Sequence, residues 1–296
     1  MQLFSKILGR PQQDSQPKLT LTEHLLNSTP EEYKAATQAP FLLAAAQGRL
    51  SKEVLGRWLA NDRLYFHSYI RAAGKLLASL DLPLAMPESD NESPETSLAD
   101  WIIEDLVRIR DSEKHLIGVA SQYGIEIDLD TRRPIGPAEP EPGSVGVAGA
   151  GRLPGLGAIG DLFDSVASLP SAGLAAVSHP TAPTVLPWLE AAVMFWGTER
   201  CHVDAWSWAK AHQPAEGSGE AKDDADGGAL RREFIPGWSS DEFKGFVARL
   251  ACIIDRAVDA AVETRGKEVR EEVLRRVEGK WQSLVVAERA FWPAVE

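Results

Sequence analysis

Apolar residues recur along this chain at helical spacing, and in four of the stripes an acid takes a position that packing would give to leucine. Leu55, Trp58, Leu59, Tyr65, Phe66, Tyr69 and Leu76 share one face at i, i+3, i+4 and i+7, with Asp62 set into it. Ile102, Leu106 and Ile109 lead to Glu113, and Leu116 and Ala120 follow. Leu189, Ala192 and Trp196 lead to Glu199, and His202 and Trp206 follow. Val277, Trp281 and Leu284 lead to Glu288, and Phe291 follows. An ionised carboxylate is costly to bury unless it is paired, hydrogen-bonded or metal-bound. Four of them on apolar faces point to a polar pocket inside a helical core. A salt bridge to Arg63, Arg108 or Arg200 would make any single one structural instead.

The same periodicity predicts the elements. Thr29-Pro30-Glu31-Glu32 reads as an N-cap, a proline at N1 and acids in the first turn, opening a helix to about residue 47 that is kinked or broken near Pro40. Gly48 suits its C-cap. Ser51 caps a helix over 52–80, and further helices are predicted over 96–124, 158–167 and 185–212. Ser240 and the acids after it start a helix to about residue 264, Gly266 breaks it, and the next reaches Trp292 before Pro293. Strand signals are scarce. The expected fold is all-α, with seven or eight helices in a single domain over 19–296. Residues 1–18 are expected to be a disordered tail. Gly, Ala, Pro and acidic stretches mark flexible insertions at about 131–157, 168–184 and 213–233.

Composition narrows the function. The chain has 296 residues, 44% of them apolar and nine of them Trp, enough for a sizeable core. It carries 31 basic and 43 acidic side chains, a net charge of −12, without a basic cluster, which argues against nucleic acid. No apolar run of about eighteen residues predicts a membrane span, and 1–18 lacks the apolar core of a secretory signal. Two cysteines, Cys201 and Cys252, form neither a disulfide framework nor a zinc spacing, which fits a cytoplasmic location. The sequons at Asn27 and Asn91 then read as chance.

Shorter motifs are weaker. Gly155-Leu-Gly157-Ala-Ile-Gly160 matches G-x-G-x-x-G, without the preceding strand and later acid that dinucleotide binding needs. Glu199-x-x-His202 has the spacing of helical metal ligands, but Glu113-Lys-His115 is a poor second copy because i and i+2 face apart. Cys201 is turned from the Glu199 face by the same offset. Tyr65, one turn after Asp62, has a hydroxyl that needs a partner if buried.

Several segments carry a resemblance. Gly48-Arg-Leu-Ser51 followed by Trp58-Leu59-Ala60-Asn61-Asp62-Arg63-Leu64-Tyr65 resembles the TenA (thiaminase II) family, which shows a Gly-x-Leu turn, Trp-Leu and Asp-x-x-Tyr on one helix. The run from Thr198 to Trp206 resembles its eukaryotic, Glu-type branch, and Trp238 to Phe243 and Glu288 to Trp292 resemble later segments. The similarity spans about residues 30 to 296 apart from the insertions. It implies a haem-oxygenase-like helical bundle with a central pocket for a thiamin-derived aminopyrimidine. It implies that Asp62 contacts the ring, Tyr65 supports the reacting group and Glu288 acts as acid toward the leaving amine. The chain departs from the family at His202, where Tyr is usual, at Ile159–Phe163, which lacks a Tyr, and at Phe234-Ile235, where an aromatic hydroxyl is common.

The expected activity is therefore hydrolysis of an aminopyrimidine or related amine, of the thiamin-salvage type, with neither cofactor nor metal. Glu288, Glu199 and Tyr65 are the candidate catalytic residues, and Asp62, His202 and Tyr69 the candidate substrate-binding residues. The expected partner is a small-molecule substrate, with no nucleic acid and no membrane, in a homo-oligomer. Two alternatives stand beside this. One is a metal-dependent oxidase of the same fold using Glu199, His202, Glu113 and Glu288. The other is a catalytically degenerate relative that binds a small molecule.

Overall fold

Capping chemistry sets where the helices start. The computed structural model describes residues 19–84, 92–129, 151–166, 184–215 and 221–295, and among these no strand is formed. The expected tail at 1–18 and most of the expected insertions lie outside the described residues. Thr20 and Glu23 close a capping box that starts α1 (Leu21–Ser28), an element that the apolar periodicity did not isolate. Pro30 and Pro40 occupy the first turns of α2 (Pro30–Thr37) and α3 (Pro40–Ala46). Pro40 lacks the N–H that a continuous helix would need there, so the expected break is realised. Ser51 accepts from the Val54 amide to start α4 (Lys52–Ser79), and Ser93 accepts from Thr96 to start α5 (Pro94–Tyr123). Gly124 ends α5 in the left-handed conformation.

The remaining elements are α6 (Pro154–Val166), α7 (Leu189–Ala211), α8 (Ile235–Trp238), α9 (Asp241–Arg265) and α10 (Glu268–Arg289). The last helix thus ends three residues before the expected Trp292. A π-helical turn over Leu230–Phe234 runs into α8. The insertion expected at 213–233 does not extend through its second half. There Asp226 is buried and accepts the Gly228 and Leu230 amides at 2.8 Å each, capping the π-turn, and Asp224 pairs with Arg231. The insertion expected to end at 157 likewise gives way to helix at Pro154.

Helix α7 is the axis of the bundle. Residues Ala191 to Glu199 are buried on every face, the signature of a helix enclosed by others, and α7 packs against α2, α3, α6, α8, α9 and α10. Close approach to α10 depends on Gly197, whose added Cβ would lie 2.4 Å from Leu284 Cδ2. Helix α6 meets α10 in the same way at Gly155. Its amide donates to the Ala290 carbonyl at 3.1 Å, and a Cβ there would lie 2.4 Å from both Ala287 O and Phe291 N. Gly157 and Gly160 face open space. The first glycine of G-x-G-x-x-G is therefore a helix-packing contact. Asn61, fully buried on α4, ties down the chain entering α6: its amide group donates to Gly151 O at 2.9 Å and its carbonyl accepts from the Leu153 amide at 2.8 Å.

Candidate active site

Helices α4, α5, α7 and α10 enclose a cavity of about 480 Å³, closed at one end by the π-turn, α8 and the start of α9. Asp62 and Tyr65 reach it from α4, Glu199 and His202 from α7, and Glu288 from α10. Three of the four stripe acids thus converge on one space, together with the tyrosine and histidine predicted beside them. Ile159 of α6 and Phe291 complete the apolar wall, and Thr198 adds a hydroxyl.

Asp62 defines the polar end. It is 2% exposed, and its Oδ2 has no hydrogen-bond partner among the described residues. Burial lifts its pKa to about 8. Burial does the same to Glu288, also to about 8, and the facing Asp62 charge adds to it. Glu199 is raised well above the ordinary carboxyl range, first by burial, then by the charges of Asp105 and Glu288. Asp62 and Glu288 therefore bind protons near neutrality. His202 goes the other way. Its ring contacts Trp238 edge-on at 5.3 Å and lies near Trp206 and Phe243, and burial takes its pKa down to about 3, so the imidazole is neutral. Burial and the charges of Glu199 and Glu288 raise Tyr65 well above 10, which keeps its phenol a proton donor.

An indole cluster backs the cavity. Trp58 stacks on Trp292 at 5.7 Å and meets Trp206 and Trp238 edge-on at 5.4 and 5.5 Å. The indole N–H groups of Trp58 and Trp206 are buried without an acceptor among the described residues.

Two of the residues singled out in the sequence lie outside the cavity lining. Tyr69 does not line the cavity. It is fully buried behind it, and its hydroxyl donates to Asp105. Glu113 does not reach the cavity either. His67 contacts its Oε1 at 2.8 Å, Arg63 reaches the same atom at 3.3 Å, and Arg110 pairs with Oε2. Burial raises its pKa, but the His67 hydrogen bond and the neighbouring cations outweigh this and hold it below the usual value. The ligand set Glu199, His202, Glu113 and Glu288 is therefore not assembled, and no group of three or more His, Cys, Asp or Glu among the described residues has the arrangement of a metal site. Cys201 is buried and does not line the cavity; burial, and then the charges of Glu288 and Asp204, raise its thiol well above the ordinary value.

The acid that sequence reading missed is Asp105. It is 2% exposed on α5 and lines the cavity. The signal was present, since Leu98, Ile102, Asp105 and Ile109 follow helical spacing as well as the stripe through half-buried Leu106 does. Eight residues separate Asp105 from Glu113, which turns the second about 80° around the helix from the first. Ser112, seven residues on, comes back into phase and lines the cavity.

No protein-family model matches the chain. Among curated proteins it is 24% identical over 263 residues to a protein of Fusarium pseudograminearum (strain CS3096) described as a probable transcription factor. That match covers 80% of this chain and 45% of the other, so the chain spans about half the length of that relative. Solved structures share the fold more fully. A TenA homologue from Pyrococcus furiosus superposes with a TM-score of 0.59 at 19% identity, covering 92% of this chain and 97% of that one. A TenA family transcription regulator from Silicibacter sp. TM1040 gives 0.60 at 11% identity, covering 92% and 94%. A TenA homologue from P. horikoshii OT3 gives 0.55 at 14%, covering 93% and 99%. The chain has the haem-oxygenase-like helical fold of these TenA homologues.

Proposed function

We propose that the protein is a TenA-like hydrolase of the Glu-type branch, acting on an aminopyrimidine or related amine of thiamin breakdown. The observation that carries this reading is the bare, buried Oδ2 of Asp62 in a cavity shared with Glu288, Glu199, Tyr65 and His202. A buried carboxyl oxygen without a partner is uncommon, and a ligand N–H supplies the missing bond.

In this reading Asp62 holds the amidine-like edge of the ring and Tyr65 donates a hydrogen bond near the reacting methylene. Water adds its oxygen to the methylene carbon as the carbon–nitrogen bond breaks. The bonding pair leaves with nitrogen, which takes the proton of Glu288, while the water proton passes to Glu199. The products are an alcohol and a free amine. A raised pKa suits Glu288 to the acid role, because it keeps the proton available near neutrality. Neutral His202 stands ready as an acceptor or donor beside the ring.

Among the described residues no helix is long and apolar enough to cross a membrane, and we assign the reaction to the cytoplasm, in a homo-oligomer. A role in transcription is not carried over from the Fusarium relative, since the chain spans 45% of it and has a net charge of −12. The test is amine release from an aminomethyl-aminopyrimidine and from thiamin by the purified protein. Turnover by the wild type, lost in Asp62→Asn and Glu288→Gln with unchanged circular dichroism, supports the assignment. Full turnover in both variants rejects it.

A further inference from the structure

We propose that the outward face of α5 is a docking surface for a second copy of this chain, with the two α5 helices antiparallel across a two-fold axis near residue 105. This deepens the homo-oligomer assignment and is independent of the chemistry in the cavity.

Helix α5 packs against α4 and α9, and its opposite side is exposed along its length. Seven large apolar side chains are exposed among the described residues. Three of them lie on this one side: Ile103, Val107 and Ile117, at 54%, 59% and 42%. With Asp100, Arg110 and Lys114 they form a single stripe in which steps of three and four residues alternate, from Asp100 to Ile117. That alternation is the seam by which one helix meets another lengthwise.

Charge along the stripe selects the occupant and its direction. The acid stands at one end and the two bases at the other, so the stripe complements itself only when reversed. In a parallel pair, Asp100, Arg110 and Lys114 would each meet their own kind. In the antiparallel pair, with the axis near residue 105, Ile103 meets Val107 of the other copy and Asp100 meets Arg110. A slip by one heptad would set Ile103 on Lys114 and Val107 on Arg110, leaving apolar and charged groups unmatched. The contact is isologous, the same patch on both copies. Asp100 is exposed and has no ion pair among the described residues. Arg110 and Lys114 are matched locally by Glu113 and by Asp111, yet keep 54% and 69% of their side chains in solvent, where a further acid can reach them. Glu104, on the flank near the axis, is matched by Arg249 at 2.6 Å. Asp111 and His115, beside the stripe, line the cavity, so the partner copy lies next to it. The 30 residues of α5 span about 45 Å, and a strip about 10 Å wide gives roughly 450 Å² per copy, about half a standard interface. A dimer of micromolar affinity, weakened by salt, is therefore expected.

The test is sedimentation velocity of the full chain over a dilution series at low and high salt. The wild type is expected to associate as it is concentrated. Asp100→Arg sets unlike charges against each other only in the antiparallel pair, so it is expected to weaken the dimer ~10-fold or more. Ile103→Glu with Val107→Glu, and Ile103→Lys with Val107→Lys, change exposed positions and are expected to leave circular dichroism unchanged. Each double variant is expected to stay monomeric alone, and the two are expected to associate when mixed one to one. A wild type that stays monomeric at every concentration overturns the proposal together with the homo-oligomer assignment. An assembly that these variants leave intact, or double variants that fail to associate on mixing, overturns the α5 pairing alone. Asp100→Arg without effect overturns its antiparallel direction. Turnover of an amine, present or absent, alters none of these readings.

Discussion

Glu288 on α10 titrates against Asp62 on α4: both are lifted to about 8 by burial, and the charge of Asp62 adds to the lift on Glu288. They therefore lose protons as an interacting pair. With Glu288 as general acid, kcat/KM should fall as pH rises through about 8. Removing the like charge makes Glu288 easier to ionise. Asp62→Asn should thus move the alkaline limb of residual activity to lower pH, besides cutting the rate ~100-fold or more. A pH–rate profile of the variant with its limb unmoved would break the link between the two acids.

The same shifts set the pH dependence of stability. A carboxyl with a raised folded-state pKa holds a proton in the folded chain at pH values where the unfolded chain has lost it. Its contribution is whole below the unfolded value near 4 and is lost as pH rises through about 8. Asp62→Asn should be near neutral in stability at acid pH and stabilising at pH 8 and above, on the order of 1–3 kcal/mol. Thermal melts across that range check it, and a gain that shrinks with pH would contradict the sign.

Glu113 should behave in the opposite sense. Its folded-state pKa is lowered, so its contribution is present above the unfolded value and is lost as pH falls. Glu113→Gln should cost roughly 1–3 kcal/mol at neutral pH and little in acid, with turnover within about twofold of wild type. A large loss of turnover in a folded Glu113→Gln protein would put this acid back among the functional ones.

Gly155 and its neighbours separate packing from motif. Gly155→Ala forces a methyl into the α10 backbone and should destabilise by about 1–3 kcal/mol. Gly157→Ala and Gly160→Ala meet open space within the same helix and should be neutral or stabilising by about 0.5–1 kcal/mol. Chemical denaturation of the three variants gives the comparison. Similar losses in all three would favour a functional loop over a packing contact.

Local chemistry made most of the helices legible. Ser51, Ser240, Pro30, Pro40 and Gly124 act at element ends as their side chains dictate. Asp62, Glu199 and Glu288 were visible because a carboxyl in an apolar stripe is anomalous on its own helix. Which cavity each stripe faces is a tertiary property. Periodicity could not separate Asp105 from Glu113, because an 80° difference in phase matters only once α4 is packed against α5. Tyr69 was read as ligand-facing for the same reason, since its partner lies on another helix. Helix α1 escaped because two turns give too short a window for a period, although its capping box was in view.

The indole wall gives the protein an optical consequence. Trp58, Trp238 and Trp292 border the cavity, and Trp206 lies 4.7 Å from Trp238, all within reach of efficient excitation transfer. Light absorbed by any of the four is shared with rings that border the bound molecule. The unlabelled chain is thus its own fluorescent sensor of occupancy, and the intrinsic emission of one cuvette can follow filling, emptying and protonation of the cavity in real time.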